Sequence, residues 1–336
     1  MVAVENAFKL HAEGKALPPK ILGMHTEGGG FHIKAGILDL GETYFVSKIN
    51  SNFSNNTKKY GLPLIQGVIA VYDGENGQLL ALMDSIEITI IRTGAATGVA
   101  AKYLAKTDAK TITICGCGNQ GRVSLKAIMK VRRLEKVFAF DINKELAEKF
   151  AKELSVELDI SVIAITDLKK ALQQSDICVT CTTSTKPFLA SKDIILGTFI
   201  AAVGADSEQK QELYPELVSA NKVITDLTEQ SATIGELHHA LDAKLMTTDS
   251  VYAELGEVIA GKKTGRTCDN EIIIFDSTGT ALQDIAAAVI VYERALNKEI
   301  GAKLNFAAPK KNNEELKAIA KNKKAISALS DFFPFR

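Results

Sequence analysis

Between residues 110 and 284 the chain alternates short, nearly uninterrupted apolar runs with longer segments whose apolar positions recur at helical spacing. The runs TITIC (111–115), VFAFD (137–141), ISVIAI (160–165), ICVTCT (177–182), FIAAV (199–203), KVITD (222–226) and IIIFD (272–276) read as strands. Helices are predicted over SLKAIMKVRRL (124–134), NKELAEKFAKEL (143–154) and DLKKALQQ (167–174), the last with Asp167 as N-cap. Strands that are apolar on both faces and separated by helices imply a parallel sheet covered on both sides. Right-handed crossovers then give a doubly wound α/β domain over 109–284.

The first 108 residues have a different texture. An amphipathic helix is predicted over 2–11, followed by strands over 20–24, 30–35, 44–50, 67–72 and 78–84. Turn signals separate them: EGGG, SNNTKKYGLP and DGENGQ, the last a hairpin between two apolar strands. A helix rich in small residues, EITIIRTGAATGVAAKYLA, spans 87–105 and closes a smaller α+β lobe. After FDSTGTALQD the chain turns helical again over 285–301, with an apolar stripe that suits packing back against the first lobe. The C-terminal part, 285–336, therefore completes that lobe. Its lysine-rich stretch 309–330 reads as a solvated helix, and the terminal DFFPFR as local packing or an inter-subunit plug.

Composition narrows the class without naming a chemistry. In 336 residues, 40 basic side chains balance 40 acidic ones, so no net field draws the chain to nucleic acid or to a membrane surface. No apolar run approaches the roughly 20 residues of a spanning helix. The opening MVAVENAFKLHAEGKALPPK lacks a signal-peptide core, and a cytoplasmic protein is expected. Five cysteines do not suggest a disulfide framework. Cys178 and Cys181 form a C-x-x-C inside a strand, where a structural role is expected, and Cys115 and Cys117 read as small residues beside a turn.

That turn carries the most chemistry. TITIC ends in Gly116-Cys117-Gly118-Asn119-Gln120-Gly121, a G-x-G-x-x-G immediately after a strand. Gly116 permits the reversal, Gly118 lets backbone approach a pyrophosphate, and Gly121 lets helix and strand pack closely. Phosphates then meet the free N–H groups of a helix N-terminus. The next strand ends in Asp141, placed to bind ribose hydroxyls, and no arginine follows in DINKE, which favours NAD over NADP.

Candidate substrate groups lie at strand ends or on the first lobe. Lys48 is the cation of YFVSKIN, and Arg92 is the charged residue among the isoleucines and small residues of IIRTGAATG. Asp206 follows a strand in AAVGADSEQ, and Ser277-Thr278-Gly279 follows IIIFD. Each also has an ordinary reading: a solvated lysine, an arginine that snorkels or pairs with Glu87, an aspartate that caps a helix. His238 and His239 lack metal-ligand partners in the pattern and read as surface residues.

Taken together, Lys48, GLP (61–63), LLALMDSIEITIIRTGAATG, GCGNQG, VGADSEQKQEL and FDSTGTALQDIAAA resemble the ornithine cyclodeaminase/mu-crystallin family over nearly the whole chain. The resemblance implies a Rossmann NAD-binding domain over 109–284 and a substrate-binding and dimerisation lobe over 1–108, in a homodimer. It implies that Arg92 clamps a substrate carboxylate, that Lys48 contacts the carboxylate or imine nitrogen and serves proton transfer, and that Asp206 relays a proton or activates water. Thr93, Asn119, Gln120, Asp141, Thr182, Lys210 and Ser277 fall on cofactor-contacting positions, and Thr278 on the substrate side. Three departures stand out. Lys20 takes the place of an early arginine, and Ser54 that of a proline. His32, with Lys34 close by, stands where cyclodeaminases carry a glutamate for the distal amine.

The implied activity is NAD(H)-dependent oxidoreduction at the α-carbon of a small 2-amino or 2-imino acid. The alternatives within the resemblance are a cyclodeaminase that uses NAD catalytically with ammonia release, and a crystallin-like protein that binds cofactor and ligand without turnover.

Overall fold

The first sheet is an antiparallel meander of β1 (Ala16–Thr26), β2 (Gly29–Asp39), β3 (Thr43–Phe53), β4 (Ile65–Asp73) and β5 (Leu79–Asp84), hydrogen-bonded in chain order. These coordinates come from a computed structural model, which describes residues 1–304. The strands reach further than their apolar cores suggested, because the outer face is also apolar and the ladders run on to the turns. Period-two alternation sends Leu38, Val46, Ile69 and Val71 into the core. It also sends Lys34 and Lys48 inward, directly opposite each other on β2 and β3. Two like charges so placed repel each other unless something intervenes.

The second sheet has eight parallel strands: β6 (Thr111–Cys115), β7 (Lys136–Phe140), β8 (Ser161–Ala164), β9 (Ile177–Thr180), β11 (Phe199–Ala202), β13 (Lys222–Thr225), β14 (Ala253–Glu254) and β15 (Ile273–Asp276). Their order is β14-β13-β15-β11-β9-β6-β7-β8, so the winding reverses between β6 and β9. This is the doubly wound parallel sheet expected, and the reversal opens a crevice at the carboxyl ends of those two strands. A small parallel pair, β10 (Thr185–Leu189) and β12 (Gln211–Leu213), ties together two loops on that edge. β10, β12 and the two-residue β14 are too short to show in an apolar pattern.

Asp167 caps its helix as expected, and Asn143 caps the helix over Lys144–Leu158, each accepting a backbone N–H. The helix after the glycine turn differs from expectation. It begins at Asn119, on the turn itself, and ends at Ile128. The helix after β15 likewise starts early, at Ala281, which brings Gln283 and Asp284 into its first turn. As expected, this helix packs on the first lobe: a Cβ on Gly36 would lie 3.3 Å from both Ala281 Cβ and Ile285 Cδ1.

Helix Ile86–Leu104 links the two sheets. Its small residues bring it hard against helix Asn119–Ile128, where a Cβ on Gly94 would meet Val123 at 2.8 Å and one on Gly98 would meet Ala127 at 2.8 Å. One continuous core joins Leu38 and Val46 of the first sheet to Ile112, Ile114 and Phe275 of the second. Residues Met1–Arg294 form one compact unit, which holds both sheets. The stretch 309–330 and DFFPFR lie outside the described residues. Among the described residues no helix is long and apolar enough to cross a membrane, and no group of His, Cys, Asp and Glu side chains could hold a metal ion.

Candidate active site

The glycine turn has the geometry its spacing predicts. Gly116 adopts φ +105°, and a Cβ there would press on the carbonyl of Cys181 at 2.8 Å. A Cβ on Gly121 would collide with the Gly116 carbonyl, whereas one on Gly118 would meet open space. The Asp141 carboxylate is fixed by the N–H groups of Cys117 and Asn143, both at 2.9 Å. Gln120 Oε1 is buried at the helix start without a hydrogen-bond partner. Open space over Gly118, an oriented carboxylate and an orphaned amide oxygen together fit a dinucleotide.

The second half of the site sits where the first sheet meets the loop after β15. Lys48 Nζ lies 2.9 Å from Asp284 Oδ1 and 2.8 Å from Oδ2. Arg92 Nε lies 3.0 Å from Asp284 Oδ1, and Arg92 Nη1 donates to Gln283 Oε1 at 2.6 Å. Arg92 Nη2 has no hydrogen bond among the described residues. Gly279 stands against this guanidinium, since a Cβ there would lie 2.5 Å from Nη1. Its φ of +74° suits glycine as well.

Lys34 is held apart from Lys48 by a different set of partners. Its Nζ donates to the carbonyls of Thr278 at 2.9 Å and Gly279 at 2.5 Å, with no carboxylate in ion-pair contact among the described residues. Beneath that loop, buried Asp226 accepts from the Gly279 N–H at 2.7 Å, the Thr278 hydroxyl at 3.0 Å and the Ser277 hydroxyl at 3.3 Å. Gln230 donates to Thr278 Oγ1 at 2.6 Å.

Burial and charge set the titration of these groups. Desolvation, reinforced by Arg92 and Lys34 against the pull of Asp284, brings Lys48 down to about 7. Desolvation lowers Lys34 too, with Arg92 adding to it. Asp284 is held below the carboxylate range: burial would raise it, but Lys48 and Arg92 prevail. Asp226 is raised by burial despite its hydrogen bonds. With both lysines protonated, Lys34, Lys48 and Arg92 outnumber the carboxylates of Asp284 and Asp226, and an incoming carboxylate would offset the excess.

The remaining candidates ring the mouth. Asp206 is solvent-exposed and ion-paired to Lys210 at 2.5 Å. Partial desolvation at the rim would raise its carboxyl, but Lys210, Lys34 and His32 outweigh that and lower it. His32 is half-buried against His25, its pKa lowered by burial despite Asp206. Thr93 is buried one residue past Arg92, and Thr182 begins the loop after β9. Lys20 is not brought into the cluster; it is exposed on β1, 4.0 Å from Glu229. His239 is half-buried rather than on the surface, its Nε2 bonded to the Lys210 carbonyl at 2.8 Å, and half-buried His238 pairs with Asp242 at 3.4 Å. The five cysteines are free, three of them buried.

Within the cluster, Asp284 and Asp226 are buried charges that sequence reasoning did not single out, and Lys34 entered it only as a neighbour of His32. The signal for Asp284 was a lone carboxylate in ALQDIAAAVIV, and for Lys34 a cation at an inward position of FHIKAGIL.

Comparison with known proteins gives likenesses over most of the chain. The model of the ornithine cyclodeaminase/mu-crystallin family matches residues 1–299. An alanine dehydrogenase of Archaeoglobus fulgidus is 38% identical, over 91% of this chain and 93% of the relative. An archaeal alanine dehydrogenase, solved as a dimer with bound NAD, matches with a TM-score of 0.86 at 38% identity, covering 91% of this chain and 93% of that one. The delta(1)-pyrroline-2-carboxylate reductase of Thermococcus litoralis, solved with NADH and L-proline, matches with a TM-score of 0.85 at 34% identity, over 90% and 94%.

Proposed function

This chain belongs to the ornithine cyclodeaminase/mu-crystallin family, and we propose that it is an NAD(H)-dependent oxidoreductase acting at the α-carbon of a small 2-amino or 2-imino acid. One observation carries the reading. Arg92 is held by Gln283 and Asp284, and its Nη2 has no hydrogen bond among the described residues, beside a lysine whose pKa lies near 7. A guanidinium fixed in this way can clamp a carboxylate, and Lys48 can hold or give up a proton at neutral pH.

In this reading the lobe of residues 1–108, with the helix from Ala281, supplies the substrate side, and residues 109–284 the cofactor side. Gly116, Gly118, Asn119, Gln120 and Gly121 would take the pyrophosphate and Asp141 the ribose; Thr93, Thr182, Lys210 and Ser277 would complete the contacts. The bound nicotinamide would supply or accept the hydride. Arg92 would orient the carboxylate, with Thr278 and Lys34 behind it. Lys48 would protonate the imine nitrogen in the reductive direction and take the proton back in the oxidative one. Asp206, steadied by Lys210, would exchange that proton with water at the mouth. Orientation of this kind can supply much of the rate.

Cyclodeamination fits less well, because the distal ammonium of a diamino acid would approach the buried Lys34. The outer face of the first sheet exposes Leu22, Met24, Phe31, Ile49, Val68 and Leu82, an apolar surface suited to a homodimer contact. Balanced charge suits a cytoplasmic enzyme.

The test records NADH absorbance and ammonia release in parallel on alanine, ornithine, lysine, pyrroline-2-carboxylate, and pyruvate or oxaloacetate with ammonia. NADH consumption with an imine or a keto acid plus ammonia is the expected outcome. Ammonia from a diamino acid at constant NADH would replace this reading with cyclodeamination. Silence across the panel with NADH bound would leave a binding protein.

A further inference from the structure

Four buried carboxylates line the carboxyl edge of the parallel sheet, and only Asp226 lies under the substrate cluster. The other three, Glu212, Glu236 and Asp276, are fully buried, and none is in ion-pair contact with a cation among the described residues. They are joined through backbone N–H groups instead. Asp276 accepts from the N–H groups of Glu236 at 3.1 Å and Leu237 at 2.9 Å. The Glu236 carboxylate accepts from Glu212 N–H at 2.8 Å and Leu213 N–H at 3.0 Å. Glu212 in turn accepts from Thr182 N–H at 2.6 Å on one oxygen and from Gly204 N–H at 3.1 Å on the other.

The two donors to Glu212 begin the loops after neighbouring strands. Thr182 follows β9, and Gly204 follows β11 two residues before Asp206. A carboxylate that takes one N–H from each loop fixes the spacing between them. The site is built tightly around it, since a Cβ on Gly204 would collide with the Glu212 carboxylate. Desolvation raises the Glu212 pKa against the Thr180 and Thr182 hydroxyls and the Thr182 and Gly204 amides, so hydrogen-bond donors rather than a counter-ion are what hold it in place.

We propose that Glu212 is a positioning residue for the reaction: by bridging the Thr182 and Gly204 amides it holds the cofactor loop and the Asp206 loop at the separation that hydride and proton transfer require. The proposal rests on the oxidoreductase reading, and extends it to a side chain that touches neither substrate nor cofactor. Glu212→Gln keeps the shape but turns an NH2 group toward one of the two donors. Glu212→Asp keeps the charge but is one methylene too short to reach both.

The experiment compares the parent, E212Q, E212D and G204A for melting behaviour, NADH affinity, and kcat and KM with the substrate found in the panel. The expected result is a loss in kcat of about tenfold or more in E212Q and E212D, in protein that still melts cooperatively and with KM changed much less than kcat. G204A should share the phenotype, and the G204A/E212Q double variant should lose less than the product of the two single losses. A kcat within twofold of parent in both Glu212 variants overturns the proposal, and so does a loss matched by the fraction of unfolded protein. If the parent binds NADH but turns over nothing, the functional reading fails on its own. Glu212 is then judged by the fluorescence of bound NADH, where an unchanged spectrum and affinity in E212Q overturn the proposal and a shifted spectrum supports it.

Discussion

Lys48 and Arg92 share one counter-ion, Asp284, whereas Glu212, Glu236 and Asp276, at the edge of the parallel sheet, are held mainly by backbone amides, with no cation in contact among the described residues. The first group joins side chains from β3, from the helix that closes the first lobe, and from the helix after β15. Its charges are strong and incompletely matched, and the mismatch faces the crevice. The second group spends each carboxylate on loop N–H donors and has nothing left to offer a ligand. Buried charge in one protein thus serves two ends: where cations are in excess it can capture an anion, and where only amides answer it fixes the backbone.

Replacing Asp284 with Ala should break the first group outright, since Lys48 and Arg92 would remain buried without their counter-ion. A stability loss of about 3–5 kcal/mol is expected, read as a lower urea midpoint. Arg92→Lys keeps the charge but loses the fork, and kcat/KM should fall about 10- to 100-fold as one charged hydrogen bond to the substrate is lost. A change below threefold would remove Arg92 from the carboxylate. The second group should prove more tolerant. Asp276→Asn still accepts one of the two amides and should cost about 1 kcal/mol in urea unfolding.

The finest contrast lies in pH. Lys48 binds its proton less tightly folded than unfolded, so the unfolded chain holds more protons between pH 7 and 10.5 and this group makes stability rise with pH there. Asp276 is raised by burial to about 7 from 3.8, so it makes stability fall as pH rises across that lower interval. Urea midpoints followed with pH should therefore lose the upper slope in Lys48→Met and the lower slope in Asp276→Asn. If both variants changed the same interval, the two groups would not be distinct.

The doubly wound sheet was legible because β6, β7, β9, β11 and β15 are buried on both faces and need no pairing partner to be recognised. The glycine turn was legible because backbone geometry admits few other residues there. β10 and β12 were not, being held by pairing with each other and by Glu212 rather than by an apolar pattern of their own. In the site, Lys48 and Arg92 stood out as cations in apolar text. Asp284 did not, because the helix was expected to begin after it, and a carboxylate ahead of a helix reads as a cap. Lys34 was noted only as a neighbour of His32, for a different reason. Its meaning depends on facing Lys48 across two strands, a register that hydrophobic periodicity does not set by itself.

The near-contact of Gly94 with Val123 and of Gly98 with Ala127 has a geometric consequence. Helix Ile86–Leu104 displays Arg92, and helix Asn119–Ile128 begins at the dinucleotide turn. Pressed backbone to backbone, the two can neither slide nor part without opening the core. The acid end of one reactant and the phosphate end of the other are therefore measured from a single ruler, whose length is set by two missing methyl groups.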